Sequence, residues 1–252
     1  MNLIITLEAL KFYKIKAEKL VQILFVVLVI LNAGIWFLPF CDYDFNAVYT
    51  AMEEMAAGRM AAFELTQGNW IFLGLMLLTQ LINLLTVFFY AALFASEKMP
   101  SVEITPLQMT VHALPRLLLL FALMIVPAIM SMLLLMIPVI VFAFMMYFMP
   151  INLFLHKQNI AYAMNKSFEQ TKGFRLIIFF QVFFLSMLLT FPETILINML
   201  SGNLIATVLI QSFFAVFLSF SQGRLMGIYY LYLVKKDPLV VPSITNDDKE
   251  GK

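Results

Sequence analysis

The residues of this chain that could do chemistry are polar side chains inside long apolar runs. Arg224 is the first candidate, because a charge buried in lipid is expensive and marks a functional site by default. If its apolar helix continues to Lys235, Arg224 lies about 16 Å inside that end at ~1.5 Å per residue and needs a buried partner. If the helix ends near Gly223, Arg224 snorkels to the head groups. Gln211 and Gln222 share a face of the same segment, so structural pairing and a substrate-facing role both stay open.

Three further polar positions lie in other apolar runs. Glu193 follows Pro192, which frees a backbone carbonyl, and Thr190 lies on the same face. This is either a kink near the surface with a hydrated carboxylate or a carboxylate inside a cavity. Gln80 and Asn83, three residues apart, are typical of hydrogen bonds between packed helices. The candidates for a substrate path are therefore Arg224, Glu193, Gln211, Gln222, Gln80 and Asn83.

No pattern in the sequence predicts catalysis. There is no Gly-x-Ser-x-Gly, no phosphate-binding loop and no His-Glu-x-x-His. His112 and His156 have no cysteine or carboxylate at ligand spacing, so we expect no metal and no cofactor. The single cysteine, Cys41, excludes an internal disulfide. With a net charge of +1 and no basic cluster interleaved with aromatics, nucleic acid is excluded as a partner.

The composition indicates a membrane protein. The chain is 63% hydrophobic and 12% charged, whereas soluble domains carry about a quarter charged residues. A helix needs about 20 apolar residues to cross a bilayer, and its backbone must be satisfied within the segment. The predicted spans are about 20–40, 70–95, 117–137, 139–155, 176–200 and 204–234. We therefore predict an all-α bundle of six transmembrane helices over residues 20–236, with spans three and four turning near Pro138.

The positive charges predict the orientation. Apart from Arg59 and Arg224, all Lys and Arg residues fall before span one, between spans two and three, between four and five, or after six. These segments share one side if the chain crosses six times, and short cytoplasmic loops collect Lys and Arg. Both termini are thus predicted to be cytoplasmic in a bacterial inner membrane, with 237–252 as a polar tail.

The inner segments include predicted amphipathic helices. Residues 1–19 form an interfacial helix in this interpretation, with an apolar face made by Leu3, Leu7, Leu10, Tyr13 and Ala17. Its opposite face carries Glu8, Lys11, Glu18 and Lys19. A second stripe follows Thr105, and Phe45, Val48, Met52 and Met55 predict a helix in the outer loop.

A further amphipathic helix is predicted over residues 159–172. Ile160, Met164 and Phe168 recur at helical spacing, and Gly173 is placed to end the helix. The helix either anchors a loop to the membrane surface or docks a cytoplasmic partner, as short coupling helices of transporter permeases do. Periodicity does not separate these two interpretations.

One stretch, residues 147–179, combines a Pro near the inner end of a span, an Ala-x-x-x-Ser helix, and a Gly and a basic residue opening the next span. These residues are Pro150, Ala163, Ser167, Gly173 and Arg175. In this pattern the chain resembles six-helix bacterial membrane proteins of unknown function related to the membrane domain fused to glycerophosphodiester phosphodiesterases. The chain has no phosphodiesterase domain, so the resemblance implies a fold and no activity. It also implies that helix 159–172 links two halves of the fold.

The expected function is non-enzymatic. The leading hypothesis is a membrane protein that transports, or assists the transport of, a hydrophobic or amphipathic substrate. A second is a permease subunit of an ABC-type exporter that pairs with a separate ATPase. A third is an immunity or envelope-stress protein that acts by protein contact. The lipid bilayer is the partner common to all three.

Overall fold

The described part of the chain is all-helical. The computed structural model describes residues 3–58, 65–99, 108, 111, 113–119, 122, 137–156, 159–200 and 202–234, and these contain no β-strand. The helices are α1 Leu3–Ala9, α2 Glu18–Gly34 with a 3₁₀ turn at Ile35–Phe37, α3 Asn46–Ala56, α4 Gln67–Glu97, α5 Ile137–Met145, α6 Met149–His156, α7 Ile160–Gln170, α8 Arg175–Met199 and α9 Leu204–Tyr229, which continues as a π-helix over Tyr230–Val234.

Five helical segments are long and apolar enough to cross a membrane. They are Glu18–Phe37, Gln67–Glu97, Pro138–Leu155, Arg175–Met199 and Leu204–Val234. These match five of the six predicted spans, and the chain fits a multi-pass membrane protein. The predicted span 117–137 lies almost wholly outside the described residues, and of the amphipathic stripe after Thr105 only Val111 and Leu114 lie within them.

The predicted span 139–155 is two helices rather than one. α5 ends at Met145, a turn occupies residues 146–148, and α6 begins at Met149. The hydroxyl of Ser167 donates to the Met145 carbonyl at 3.1 Å and accepts from the Phe148 N–H at 3.1 Å. The Thr171 hydroxyl donates to the same carbonyl at 3.2 Å. These side chains replace helical hydrogen bonds, and the chain can therefore turn without leaving buried backbone groups unpaired.

The chain divides into two compact units. The first comprises Met1–Glu18, Leu85–Thr190 and Leu218–Lys252, and the second comprises Lys19–Leu84 and Phe191–Phe217. Helices α4, α8 and α9 contribute residues to both. Each unit has its own buried polar contacts and its own aromatic packing, described separately below.

The second unit is held by an amide pair and an aromatic cluster. Asn32 and Asn83 exchange side-chain hydrogen bonds of 3.2 and 2.9 Å, and Asn32 also donates to its own helix. The ring of Phe72 packs against Trp36 at a centroid distance of 5.0 Å. Asn69 donates to the carbonyls of Asp42 and Asp44 at 2.8 and 3.0 Å, which fixes the start of α4 against the loop before α3. The helix predicted in this loop is confirmed as α3.

The prediction of one N-terminal helix over residues 1–19 was wrong. α1 ends at Ala9, turns follow, and α2 begins at Glu18. We call residues 3–17 the N-terminal strap. Several of its backbone groups are bound by side chains of α4 and α9, so helical hydrogen bonds are not needed to satisfy them. Ile5, Thr6 and Ala9 form the buried face of α1, whereas Leu3 and Leu7 of the predicted apolar face are exposed.

In the first unit, α4 and α9 approach each other closely at two glycines. A Cβ added to Gly223 would lie 2.7 Å from the Val87 carbonyl oxygen, and one added to Gly227 would lie 2.7 Å from the Phe94 ring. The facing positions on α4 include Ala91, which is fully buried. Small residues four apart permit such contact between membrane helices, because dispersion and packing take the place of the hydrophobic effect.

We predict that Gly223→Ala destabilises the protein, because the added methyl group must push the α4 backbone away. The expected loss is about 1–3 kcal/mol, the usual range for overpacking a filled interface. The midpoint of thermal unfolding in detergent, followed by size-exclusion chromatography, measures the effect. Gly74→Ala is the matched control, since its Cβ meets nothing within 4 Å. An equal midpoint for the two variants would contradict the prediction.

Candidate functional site

The polar site of the first unit is built around Arg224. The side chain is buried, with 4% of the residue exposed. Its Nε donates to the Glu8 carbonyl oxygen at 2.9 Å, one terminal nitrogen donates to the Lys14 carbonyl at 2.8 Å, and the other donates to the Glu8 carboxylate at 2.7 Å. The guanidinium also lies over the Phe94 ring, 4.8 Å from its centroid. Each nitrogen of the guanidinium thus has a partner, and the charge is matched by a carboxylate.

Two side chains of α4 hold the rest of the strap by its backbone. The Tyr90 hydroxyl donates to the Phe12 carbonyl. The two carboxylate oxygens of Glu97 accept from the N–H groups of Lys16 and Ala17 at 2.8 and 3.1 Å. The Phe12 ring stacks on Phe220 at 5.4 Å. The strap is therefore bound at both its donors and its acceptors.

The Glu8 carboxylate is shared between two cations. Oε2 accepts from Lys11 at 2.9 Å, and Oε1 accepts from Arg224. Burial by itself would raise the pKa of Glu8, but the hydrogen bonds and charges of Lys11 and Arg224 outweigh it and hold this pKa below its ordinary value. The carboxylate is thus ionised at neutral pH. Glu8 was predicted on the polar face opposite the apolar stripe, and in the structure its carboxylate faces Arg224.

The arrangement around Arg224 holds the N-terminal strap against α9. All three nitrogens of the guanidinium are occupied by groups of the chain itself. The interpretation in which the helix continues past Gly223 and Arg224 needs a buried partner is confirmed. The partner is Glu8, which lies 216 residues away, whereas Gln222 donates to Ser186.

The remaining predicted site residues fall into paired and exposed groups. Asn83 is buried and pairs with Asn32, whereas Gln80, three residues before it, is exposed. Gln222, half-buried in the first unit, donates to the Ser186 hydroxyl at 3.4 Å. Gln211 of α9 is exposed, and Glu193 of α8 is partly exposed next to Pro192 within the helix. The residues Gln80, Gln211 and Glu193 all belong to the second unit.

Helix α7 matches the prediction for residues 159–172. Asn159 caps it by accepting from the Ala161 N–H, and Gly173 follows it with a φ of 85°, in the left-handed region that favours glycine. Its inner face is Ala163 and Ser167, both fully buried. The predicted stripe lies on the adjacent face, where it is half-buried to exposed; its members are Ile160, Met164 and Phe168.

The residues of the family resemblance have physical roles in the first unit. Ser167 and Thr171 bind the turn between α5 and α6. Arg175 lies over the Phe168 ring at 4.3 Å and donates to the Phe168 carbonyl at 3.1 Å. The C-terminal end of α7 is thus fixed to the start of α8. The relation of the chain to the six-helix membrane proteins named above stays a prediction.

A second buried polar contact of the first unit involves α6. Asn152, which is fully buried, donates to the Gln170 side chain of α7 at 2.9 Å and accepts from the Tyr230 hydroxyl at 3.4 Å. Phe148 packs edge-on against Tyr230 at 5.7 Å. Tyr230 is the first residue of the π-helix, so α6 is linked to α7 and to the end of α9 through one amide.

Several residues that build these sites are not among the residues predicted from the sequence. Gly223 and Gly227 form a Gly-x-x-x-Gly pattern that is visible in the sequence and could have indicated the close helix contact. For the role of Glu97 and Tyr90 there was no local signal, because both bind the backbone of a segment distant in sequence. Asn152 and Asn32 are single amides in apolar runs, and the criterion used for Gln80 and Asn83 would have found them.

The described residues include no group of three or more His, Cys, Asp or Glu side chains that could hold a metal ion. Comparison of the chain with protein families, with curated proteins and with solved structures gave no significant match.

We predict that Arg224→Gln and Glu8→Gln each destabilise the protein, and that the double variant loses less than the sum. Glu8→Gln leaves the buried guanidinium without its counter-charge, at a cost of about 3–5 kcal/mol, and Arg224→Gln leaves the Glu8 and Lys14 carbonyls without the donors that bind them. Thermal midpoints in detergent for the two single variants and the double variant form the cycle. Lys11→Gln is the control, because its ammonium is 42% exposed and such pairs contribute about 0–1 kcal/mol. Strict additivity of the Arg224 and Glu8 effects would contradict the prediction.

Proposed function

We propose that the chain is a non-enzymatic protein of a bacterial inner membrane that transports, or assists the transport of, a hydrophobic or amphipathic substrate. In this proposal the chain crosses the membrane six times. Residues 117–137 form the span that is not among the five described helical segments, and both termini lie in the cytoplasm. The described helices support the membrane embedding, and the sorting of Lys and Arg supports the orientation.

The observation that carries the proposal is the exposure of polar side chains on apolar helices of the second unit. Gln80 lies in α4, Glu193 in α8 and Gln211 in α9, and each is exposed or partly exposed. A side-chain amide or carboxylate facing hydrocarbon lacks hydrogen-bond partners and is costly. Exposure at three helices therefore supports a polar surface used by a substrate, in contrast to Arg224, whose partners lie within the chain.

Transport can be tested with Gln80→Leu, Gln211→Leu and Glu193→Gln in proteoliposomes. The probe is a fluorescent nitrobenzoxadiazole phosphatidylcholine, whose movement between leaflets is read by dithionite quenching. If each group contacts the moving lipid by one hydrogen bond of about 0.5–1.5 kcal/mol, its loss slows the rate about two- to tenfold. Gln67→Leu is the control, since Gln67 is exposed at the first residue of α4.

Two outcomes contradict this function. One is a wild-type rate equal to that of empty liposomes. The other is an unchanged rate in all three variants when each is monodisperse and inserted at the wild-type level. A slower rate in Gln67→Leu of the same size would show that the effect is not specific to the three positions.

The exposed stripe of α7 favours a second candidate, a permease subunit of an ABC-type exporter. Phe168 is 42% exposed, and Ile160 and Met164 are half-buried, so an apolar stripe is available beside the buried face of Ala163 and Ser167. A short helix with a rigid inner face and an apolar outer stripe suits docking to a separate ATPase.

This candidate predicts that an ATPase co-purifies with the wild-type chain, and that replacing Ile160, Met164 and Phe168 together by Ser abolishes its recovery. The stripe supplies the apolar contact, so removing it leaves the partner without an anchor. Mass spectrometry and nucleotide hydrolysis of the purified complex are the measurements. Tyr162→Ser is the control, since Tyr162 is exposed on another face of α7. The absence of a nucleotide-hydrolysing chain from the wild-type sample would rule this candidate out.

A further inference from the structure

The N-terminal strap has an outer surface that the contacts with Arg224, Tyr90 and Glu97 define. The Lys14 carbonyl and the Lys16 N–H point inward to these side chains, while both lysine side chains are exposed. The backbone of the strap is thus used inside the first unit, and its basic side chains are left outside.

The same alternation applies to the apolar residues. Phe12 packs inward on Phe220, and the adjacent Tyr13 is 47% exposed. In α1 the buried face is opposite Leu3 and Leu7, which are 55% and 46% exposed. The outer surface of the strap therefore combines exposed apolar and aromatic side chains with exposed lysines.

The acidic side chains near this surface are engaged in contacts, whereas the side chains of Lys14 and Lys16 are exposed. The Glu8 carboxylate binds Arg224 and Lys11, and the Glu97 carboxylate accepts from the backbone N–H groups of Lys16 and Ala17. Glu18 is exposed where the strap meets α2. The outward charge of the strap itself is positive, and it is held in place beside apolar side chains of the kind that insert at a bilayer interface.

We propose that the outer surface of the N-terminal strap binds anionic phospholipid head groups. Lys14 and Lys16 contact the phosphates, while Leu3, Leu7 and Tyr13 enter the interfacial region between head groups and acyl chains. Charge complementarity selects the lipid, because the inner surface of a membrane is negative and each nearby lysine adds to the attraction. The proposal requires membrane embedding and is independent of transport.

A local reporter tests this in the full-length protein. Tyr13→Cys in a Cys41→Ala background carries a nitrobenzoxadiazole dye, an aromatic group that replaces the Tyr ring. The protein is placed in vesicles of phosphatidylcholine and phosphatidylglycerol at a fixed ratio, with a nitroxide on either one lipid or the other. We expect phosphatidylglycerol to quench the dye more strongly, with a roughly fivefold preference per lysine at the surface.

Lys14→Gln with Lys16→Gln should bring the two quenching efficiencies to equality. Lys172→Gln, which removes an exposed lysine just after α7, is the control for loss of a surface charge and should keep the preference, because the reporter senses only lipids beside the strap. Equal quenching by the two lipids before any lysine is changed overturns the proposal. A preference that survives the Lys14 and Lys16 changes overturns it as well.

A salt titration of the labelled protein with all its lysines gives a second measurement that does not depend on folding of the lysine variants. Raising the salt from about 0.05 M to about 1 M shortens the screening length to ~3 Å and should remove the preference. A preference independent of salt would contradict an electrostatic contact, and a loss of preference with unchanged total quenching supports it.

Discussion

The first unit depends on the buried charge of Arg224. A guanidinium taken out of water is stable only when its donors and its charge are matched by the protein. The strap supplies two carbonyls and one carboxylate, and Phe94 supplies the ring face. Gly223, the neighbour of Arg224, and Gly227 let α9 approach α4, and this close approach is what places Phe94 beside the guanidinium. The helix contact and the strap thus both supply groups that surround one side chain.

The need to pair buried backbone N–H and C=O groups explains why the chain departs from regular helix in two places. In the strap, Arg224, Tyr90 and Glu97 bind carbonyls and N–H groups that a helix would have paired internally. At residues 146–148, the hydroxyls of Ser167 and Thr171 do the same for the end of α5. In each case polar side chains from neighbouring helices take over the role of intrahelical hydrogen bonds.

Local periodicity predicted most of the helices but not the contacts between them. Spans such as 70–95 and 176–200 follow from length and hydropathy alone, and α7 follows from its stripe and from Gly173. The prediction of one N-terminal helix was wrong because helical spacing alone does not show that the helix is continuous. Leu3 and Leu7 lie in α1, whereas Tyr13 lies in the turns that follow it. Glu8 and Arg224 are separated by 216 residues, and nothing in a single sequence relates two charges at that distance. The Asn32–Asn83 pair was half predicted, since Asn83 was assigned to interhelical bonding but its partner was not identified.

Polar residues in apolar helices therefore fall into two classes that sequence alone does not separate. Arg224 is the most conspicuous of them in the sequence, yet its three nitrogens are all used within the chain, and so it has little capacity left for a substrate. Gln80 and Gln211 are less conspicuous, but their amides are exposed where hydrocarbon would leave them unpaired. The free-energy cost of placing a polar side chain in hydrocarbon indicates function only when the chain itself does not supply its hydrogen-bond partners. By that criterion the proposed transport function rests on the exposed amides and not on the buried arginine.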